Sequence, residues 1–267
     1  MKIRLNEKLI EIEAGKKISE IRNLYKPDAD VIVLNGFPVS NDLQLKDGDE
    51  LFLIKRGERP SYDELEYMMV ARHTPKIHEK LKKASVGIAG VGGLGSNVAI
   101  ALARVGVGKL IIADFDVVEP SNLNRQQYFI EQIGMLKVDA MRENLSRINP
   151  YVNVETFNVK LTENNIPEIF AAVSVIVEAF DRAEAKAMLI NTVLEKMPEV
   201  KIVAASGLAG YGPNNDIKTV AMTKRLYIVG DFVSEAREGQ GLMAPRVGIA
   251  AAHQANQVVR IILGEEE

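Results

Sequence analysis

Apolar and polar residues alternate with period two at the start of the chain: Ile3 and Leu5 share one face, and Ile10 and Ile12 repeat the pattern after a polar turn at Asn6–Lys8. Such alternation predicts a half-buried hairpin. Ile18, Ile21 and Leu24-Tyr25 then recur at helical spacing, and Val31–Leu34 forms a short apolar strand stopped by Asn35-Gly36. A turn cluster at Lys46–Asp49 precedes a last strand, Leu51–Ile54. The order is that of a β-grasp, ubiquitin-like domain. After Pro60, Ser61 with Glu64 three residues on reads as a capping box, opening a helical stretch from Tyr62 to Lys83 that Thr74-Pro75 interrupts.

The pattern changes at residue 84. Ala84–Ala103 carries no charge and is about as long as a membrane span. Gly87, Gly90, Gly92, Gly93 and Gly95 interrupt any single helix, so a buried strand, Val86–Ala89, followed by a buried helix reaching Arg104 is expected instead. Strands are also expected at Lys109–Ala113, Val173–Phe180 and Val200–Ala205, with a hairpin from Lys218–Thr223 and Arg225–Val229 and a last helix over Pro245–Leu263. That helix is apolar on more than one side, which predicts burial in the core or in a dimer seam. Asp231–Met243, rich in charge and glycine, reads as a mobile loop. The expected fold class is α/β: a Rossmann-like domain with a mainly parallel sheet, preceded by the small β-grasp domain. The boundaries are 1–58, a helical linker over 59–83, and 84–267.

Composition narrows the chemistry. With 33 basic and 36 acidic residues the net charge is -3, so no basic field points to nucleic acid or an anionic membrane. The chain has no cysteine, which excludes disulfides, thiolate zinc sites and Cys nucleophiles on it. The first residues never build the apolar core of a signal peptide, and a cytoplasmic setting is expected. The three histidines, His73, His78 and His253, are scattered without metal-ligand spacing.

Candidate chemistry begins at Gly90-Val91-Gly92-Gly93-Leu94-Gly95-Ser96, between strand and helix. Gly90, Gly92 and Gly95 have the spacing of a phosphate-binding turn, where backbone must approach phosphate and a helix N-terminus offers N–H donors. The following strand ends at Asp114, 24 residues after Gly90 and in place to bind ribose hydroxyls. This fingerprint leaves NAD and ATP both open. The next residues are strongly polar: Asp114, Asp116, Glu119, Asn122, Asn124, Arg125 and Gln126 follow a strand's carboxyl end, and Lys137 opens another helix. Each cation taken singly reads as a solvated side chain; together Arg125 and Lys137 suggest a polyphosphate.

Residues 1–56, through Val33-Leu34-Asn35-Gly36 and Leu45-Lys46-Asp47-Gly48-Asp49-Glu50-Leu51, resemble the sulfur carrier ThiS. Such carriers end in a free Gly-Gly, whereas here the last strand runs on into Lys55-Arg56-Gly57-Glu58-Arg59-Pro60. This copy is therefore expected to be a fused docking or stabilising module. Residues 70–265 resemble the ThiF, MoeB and ubiquitin-activating enzyme superfamily, whose signatures look like GxGGLGS, DxDxVExSNLNRQ and GxxK, in that order. The resemblance implies an ATP-dependent nucleotidyltransferase that adenylates the C-terminal glycine of a small carrier ending in Gly-Gly, in thiamine (thiazole) biosynthesis. The chain departs from many members of that superfamily, which carry paired Cys-x-x-Cys motifs for a structural zinc: with no cysteine, no zinc is expected here, and sulfur is expected to come from a separate donor protein. Gly90, Gly92, Gly93 and Gly95 would face the phosphates and Asp114 the ribose, with Asp116 beside it. Arg125 and Lys137 would neutralise the triphosphate, while Asn122, Asn124 and Gln126 position phosphate and metal. Asp181 would hold Mg²⁺, against the simpler reading that it caps a helix over Arg182–Met197. Arg72 would reach the nucleotide of a second subunit in a homodimer. Alternatives are another acceptor, such as the molybdopterin carrier or a tRNA-bound carboxylate, an NAD-dependent oxidoreductase on the same turn, or a non-catalytic scaffold.

Overall fold

In a computed structural model residues 1–265 are described. They divide into two compact units, Met1–His78 and a second beginning at Glu79.

In the first unit β1 (Lys2–Leu5) and β2 (Lys8–Glu11) form the expected hairpin. Asn6 and Glu7 close it with positive φ of 46° and 69°, the turn geometry whose twist matches paired strands. Helix α1 (Ile18–Tyr25) leads to β3 (Val31–Leu34), which a second tight turn at Asn35-Gly36 joins to β4 (Phe37–Pro38). The last strand, β5 (Glu50–Ile54), inserts between β1 and β3 to give the order β2-β1-β5-β3-β4, parallel to β1 and antiparallel to β3. Ile3, Leu5, Ile18, Ile21, Leu51 and Leu53 make the core. Each such buried aliphatic chain contributes about 1.5–3 kcal/mol. This is a β-grasp.

Helix α2 (Tyr62–His73) starts at the capping box: Glu64 N donates to Ser61 Oγ at 3.2 Å and Ser61 N to Glu64 Oε2 at 2.8 Å. Thr74, at φ 70°, breaks it, and Pro75 opens α3 (Pro75–Lys83), within which the unit boundary falls. Side chains explain why α2 belongs to the first unit. Lys26 pairs with Glu64, Lys8 lies over the Tyr67 ring, and Arg72 pairs with Glu7.

The second unit continues with β6 (Ser85–Ala89), α4 (Gly93–Arg104), β7 (Lys109–Asp114), α5 (Lys137–Ile148) and β8 (Asn153–Asn158). Then follow α6 (Ile166–Ile169), β9 (Val175–Glu178), α7 (Ala183–Lys196), β10 (Lys201–Ala205), β11 (Lys218–Ala221), β12 (Leu226–Gly230) and α8 (Ala244–Leu263). The sheet order is β11-β12-β10-β9-β6-β7-β8, parallel except for β11 at the edge. Central strands covered on both faces are expected to be continuously apolar, and Val86, Ile88, Leu110, Ile112, Ile176 and Val177 are all fully buried. Gly87 leaves room for the buried ring of Phe170, which a Cβ there would approach to 2.7 Å.

The chain order reverses between β6 and β9, the switch point where ligands bind beyond the strands' carboxyl ends. One expectation needs correction here. The strand read as Val173–Phe180 spans only Val175–Glu178, so Asp181 follows it after two loop residues. The uncharged run Ala84–Ala103 splits into β6, a glycine turn and α4, and among the described residues no helix is long and apolar enough to cross a membrane.

Candidate functional site

Three chain segments meet beyond the carboxyl ends of β6, β7 and β9. The first is the glycine turn. Gly90, at φ +88°, donates its N–H to Ala113 O at 2.8 Å, and a Cβ on it would approach Ala179 O to 3.1 Å. A Cβ on Gly95 would lie 1.9 Å from Gly90 O, so the first turn of α4 folds directly on the strand end. Gly92 caps α4 without a side chain. The positive end of the helix dipole is thus open to an anion.

The second segment begins at Asp114. Its Oδ2 accepts Val91 N at 2.7 Å and its Oδ1 accepts Asp116 N at 2.8 Å, so the carboxylate braces both the glycine turn and its own loop. Lys137, the first residue of α5, is buried and reaches Asp116 Oδ2 at 2.8 Å. Tyr128 Oη donates to Val91 O at 2.7 Å and lies 3.4 Å from Lys137 O, which ties α5 to the glycine turn. Burial, and then the carboxylates of Asp114 and Asp116, push the Tyr128 pKa upward and keep the phenol a donor.

Arg125 lies with its aliphatic stem beside Gly93, and its Nη1 donates to Asn124 Oδ1 at 2.7 Å and Ser121 O at 3.2 Å. Among the described residues its Nε and Nη2 make no hydrogen bond. Asn124 donates from Nδ2 to Leu242 O at 3.1 Å, which joins this loop to the segment before α8. Asn122 is buried and turned inward, accepting Glu119 N at 3.1 Å. Gln126 is buried, with its Oε1 unpartnered.

The third segment carries Asp181, which is exposed and stands two residues before the first residue of α7. The helix is capped at Arg182 with no side-chain hydrogen bond, so the simple capping reading of Asp181 does not hold. No group of three or more His, Asp or Glu gathers among the described residues. A single carboxylate still fits magnesium, which takes one or two protein oxygens and completes its shell with phosphate and water.

Asp114, Asp116, Lys137 and the glycine turn are therefore linked directly, Arg125 lies beside that turn, and the backbone of Ala179 joins the Asp181 loop to Gly90. Arg72 belongs to the other unit, where its exposed side chain lies 3.4 Å from Glu7. Sequence reasoning missed Tyr128 and the buried carboxylate of Glu178, whose sequence signal was one charge inside the apolar run Val175–Phe180. Asp231–Met243, read as a mobile loop, carries no helix or strand, and its first residue is tied down. Asp231 accepts hydrogen bonds from Val233 N, Ser234 N and Ser234 Oγ, and meets the buried guanidinium of Arg246. These partners outweigh burial and hold its pKa at about 2.

The profile of the ThiF family matches residues 66–267, and that of the ThiS-like ubiquitin family residues 1–57. The adenylyltransferase and sulfurtransferase UBA4 of Saccharomyces cerevisiae is 32% identical over 192 residues, covering 69% of this chain and 43% of that protein. The chain spans less than half the length of these relatives. Molybdopterin-synthase adenylyltransferase of Haemophilus influenzae is 33% identical over 196 residues, covering 69% of this chain and 77% of that protein. Among solved structures, E. coli tRNA N6-threonylcarbamoyladenosine dehydratase in complex with ATP superposes with a TM-score of 0.68 at 21% identity, covering 74% of this chain and 93% of that one. That likeness is one of fold.

Proposed function

The chain belongs to the ThiF family, and on that premise we propose that it adenylates the C-terminal carboxylate of a small ubiquitin-like sulfur-carrier protein, consuming ATP and releasing pyrophosphate. The observation that carries this reading is the meeting of an uncapped glycine turn with two cations, Arg125 and Lys137, at the switch point of the sheet. A dinucleotide site needs the turn but neither cation.

The carrier's carboxylate is already ionised at neutral pH, so no general base is required. One of its oxygens bonds to the α-phosphorus as the bond from that phosphorus to the bridging oxygen breaks, and the electron pair leaves on pyrophosphate. Charge moves onto the leaving group, and fixed donors aimed there lower the barrier without reorganising. Arg125 presents a planar fork of donors, and Lys137 can exchange the half-exposed carboxylate of Asp116 for phosphate oxygens. Asp114 uses one lone-pair site on each oxygen for backbone N–H groups, which leaves capacity for ribose hydroxyls. Asp181 would hold magnesium, which when bound neutralises phosphate oxygens. Arg72 would serve the nucleotide of a second subunit in a homodimer.

The ThiS-like first unit supports the thiazole carrier as substrate. The relative that serves molybdopterin synthase supports the molybdopterin carrier as the second reading. With no cysteine on the chain, sulfur would come from another protein. ATP–pyrophosphate exchange with Mg²⁺ and a panel of free carriers ending in Gly-Gly, beside an Asp181→Ala control, tests both. Exchange that requires a carrier and Asp181 is the expected result, and the carrier that supports it decides between the readings. No exchange with any carrier, together with tight NAD binding, overturns both.

A further inference from the structure

Glu178 ends β9, the central strand, beside Ala89, which precedes the glycine turn. Its side chain is fully buried. A carboxylate removed from water costs several kcal/mol unless it is paired and hydrogen-bonded. Here every approach is answered. Lys186 of α7 meets both oxygens, at 3.0 Å and 3.1 Å; Phe180 N donates to Oε1 at 2.7 Å, and Ala205 N at the end of β10 reaches Oε2 at 3.4 Å. From the opposite face Gln254 of α8 donates to Glu178 O at 3.0 Å and Val203 O at 3.1 Å. Burial pushes the carboxyl's pKa upward, while the ammonium and the backbone donors oppose it.

What this knot holds is the loop from Ala179 to Arg182. Phe180 N is the residue before Asp181, and Ala179 is pinned from the other side by Ala89 O at 3.0 Å. Among the described residues Asp181 has no side-chain tether of its own, so the direction of its carboxylate is set by backbone at 179–180 and by the start of α7. Lys186 fixes both ends, because it belongs to α7 and grips the carboxylate that grips Phe180. We propose that Glu178 and Lys186 are positioning residues that aim Asp181 at its metal. A buried ion pair is often no more stable than an apolar pair of similar volume, but an apolar pair here would strand the N–H groups of Phe180 and Ala205; the carboxylate anchors those N–H groups. The inference rests on the reading of Asp181 as a magnesium ligand.

The test is calorimetric binding of β,γ-methylene ATP to the full chain, once with excess Mg²⁺ and once with excess EDTA. The ratio of the two affinities reports the metal's contribution separately from the nucleotide's. Asp181→Ala is expected to abolish the gain from Mg²⁺. Lys186→Met is expected to remove most of that gain, about tenfold in affinity, while leaving the EDTA affinity unchanged; Lys186→Arg is expected to retain it. Should Lys186→Met fail to fold, Glu178→Gln, which keeps an acceptor for Phe180 N but loses the charge, is expected to reduce the gain in part. If Asp181→Ala removes the gain while Lys186→Met or Glu178→Gln keeps it in full, the positioning role is wrong and the metal ligand stands. If Asp181→Ala also keeps the gain, the reading of the metal site fails, and the inference with it.

Discussion

Replacing Gly95 by alanine offers a sharp steric test of the site. A Cβ at Gly95 would sit 1.9 Å from Gly90 O and 2.9 Å from Gly90 C, with Ala179 Cβ at 3.2 Å. Ordinary carbon–oxygen contact needs more than ~3 Å, so the first turn of α4 must retreat from the strand end by roughly 1 Å. Neither neighbour can yield cheaply, because both clashing atoms are backbone and Gly90 is itself tied to Ala113 O. Overpacking of this kind costs about 1–3 kcal/mol, or roughly 2–12 °C in melting midpoint for a unit of this size. The displaced turn should also lose nucleotide, since a misplacement of about 1 Å at a reacting site can cost ~100-fold. Gly92→Ala is the matched control. Its Cβ would meet only Gln126 Nε2, at 3.8 Å. We expect Gly92→Ala to melt like wild type yet bind ATP more weakly, because it adds bulk where phosphate approaches, and Gly95→Ala to lose both. Differential scanning fluorimetry and calorimetric ATP titration read the two quantities. A Gly95→Ala protein with wild-type melting and wild-type affinity would refute the packing argument.

Lys137→Met should lower kcat/KM for pyrophosphate exchange by roughly 10- to 150-fold, the worth of about 1.5–3 kcal/mol of charge-assisted hydrogen bonding. Asp116 is half exposed, so its stranded charge should change stability by less than ~1 kcal/mol, which urea unfolding would check. Asp231 is held at a pKa of about 2 against an ordinary 3.8, and this contributes on the order of 2 kcal/mol of stability. Because the folded value is depressed, that stability is present above about pH 4 and is lost as pH falls through about 2. The gap in unfolding free energy between wild type and Asp231→Asn should therefore narrow between pH 4.5 and 2.5, and a constant gap would contradict the linkage. In the first unit, Lys26 pairs with Glu58 and Glu64 and so clamps the segment after β5. Lys26→Ala should speed tryptic cleavage at Lys55 or Arg56 several-fold, and an unchanged cleavage rate would show that the clamp does not hold that segment.

Much of this molecule is legible along the chain because its signals are local. Alternation in Ile3–Leu5 and Ile10–Ile12, the Ser61–Glu64 capping box, and the glycine spacing after Ala89 all act within a few residues, and the structure bears out the hairpin, the cap and the strand–turn–helix they predict. The polar cluster from Asp114 to Gln126 could likewise be placed next to that turn, since a strand–turn–helix order fixes which end of a parallel sheet receives it. The edge strand β8, Asn153–Asn158, escaped notice because it is half exposed and carries no apolar run. What the sequence withheld was pairing across distance. Asp116 with Lys137, Asp231 with Arg246, and Glu178 with Lys186 each join residues from different elements, and a lone charge looks the same in sequence whether it is solvated or clamped. Glu178 shows why only the tertiary structure could decide: a carboxylate in an apolar strand is tolerable only if an ammonium and backbone donors converge on it, and those donors come from β10, α7 and the loop after β9. Packing brings them together, and no sequence spacing encodes that meeting.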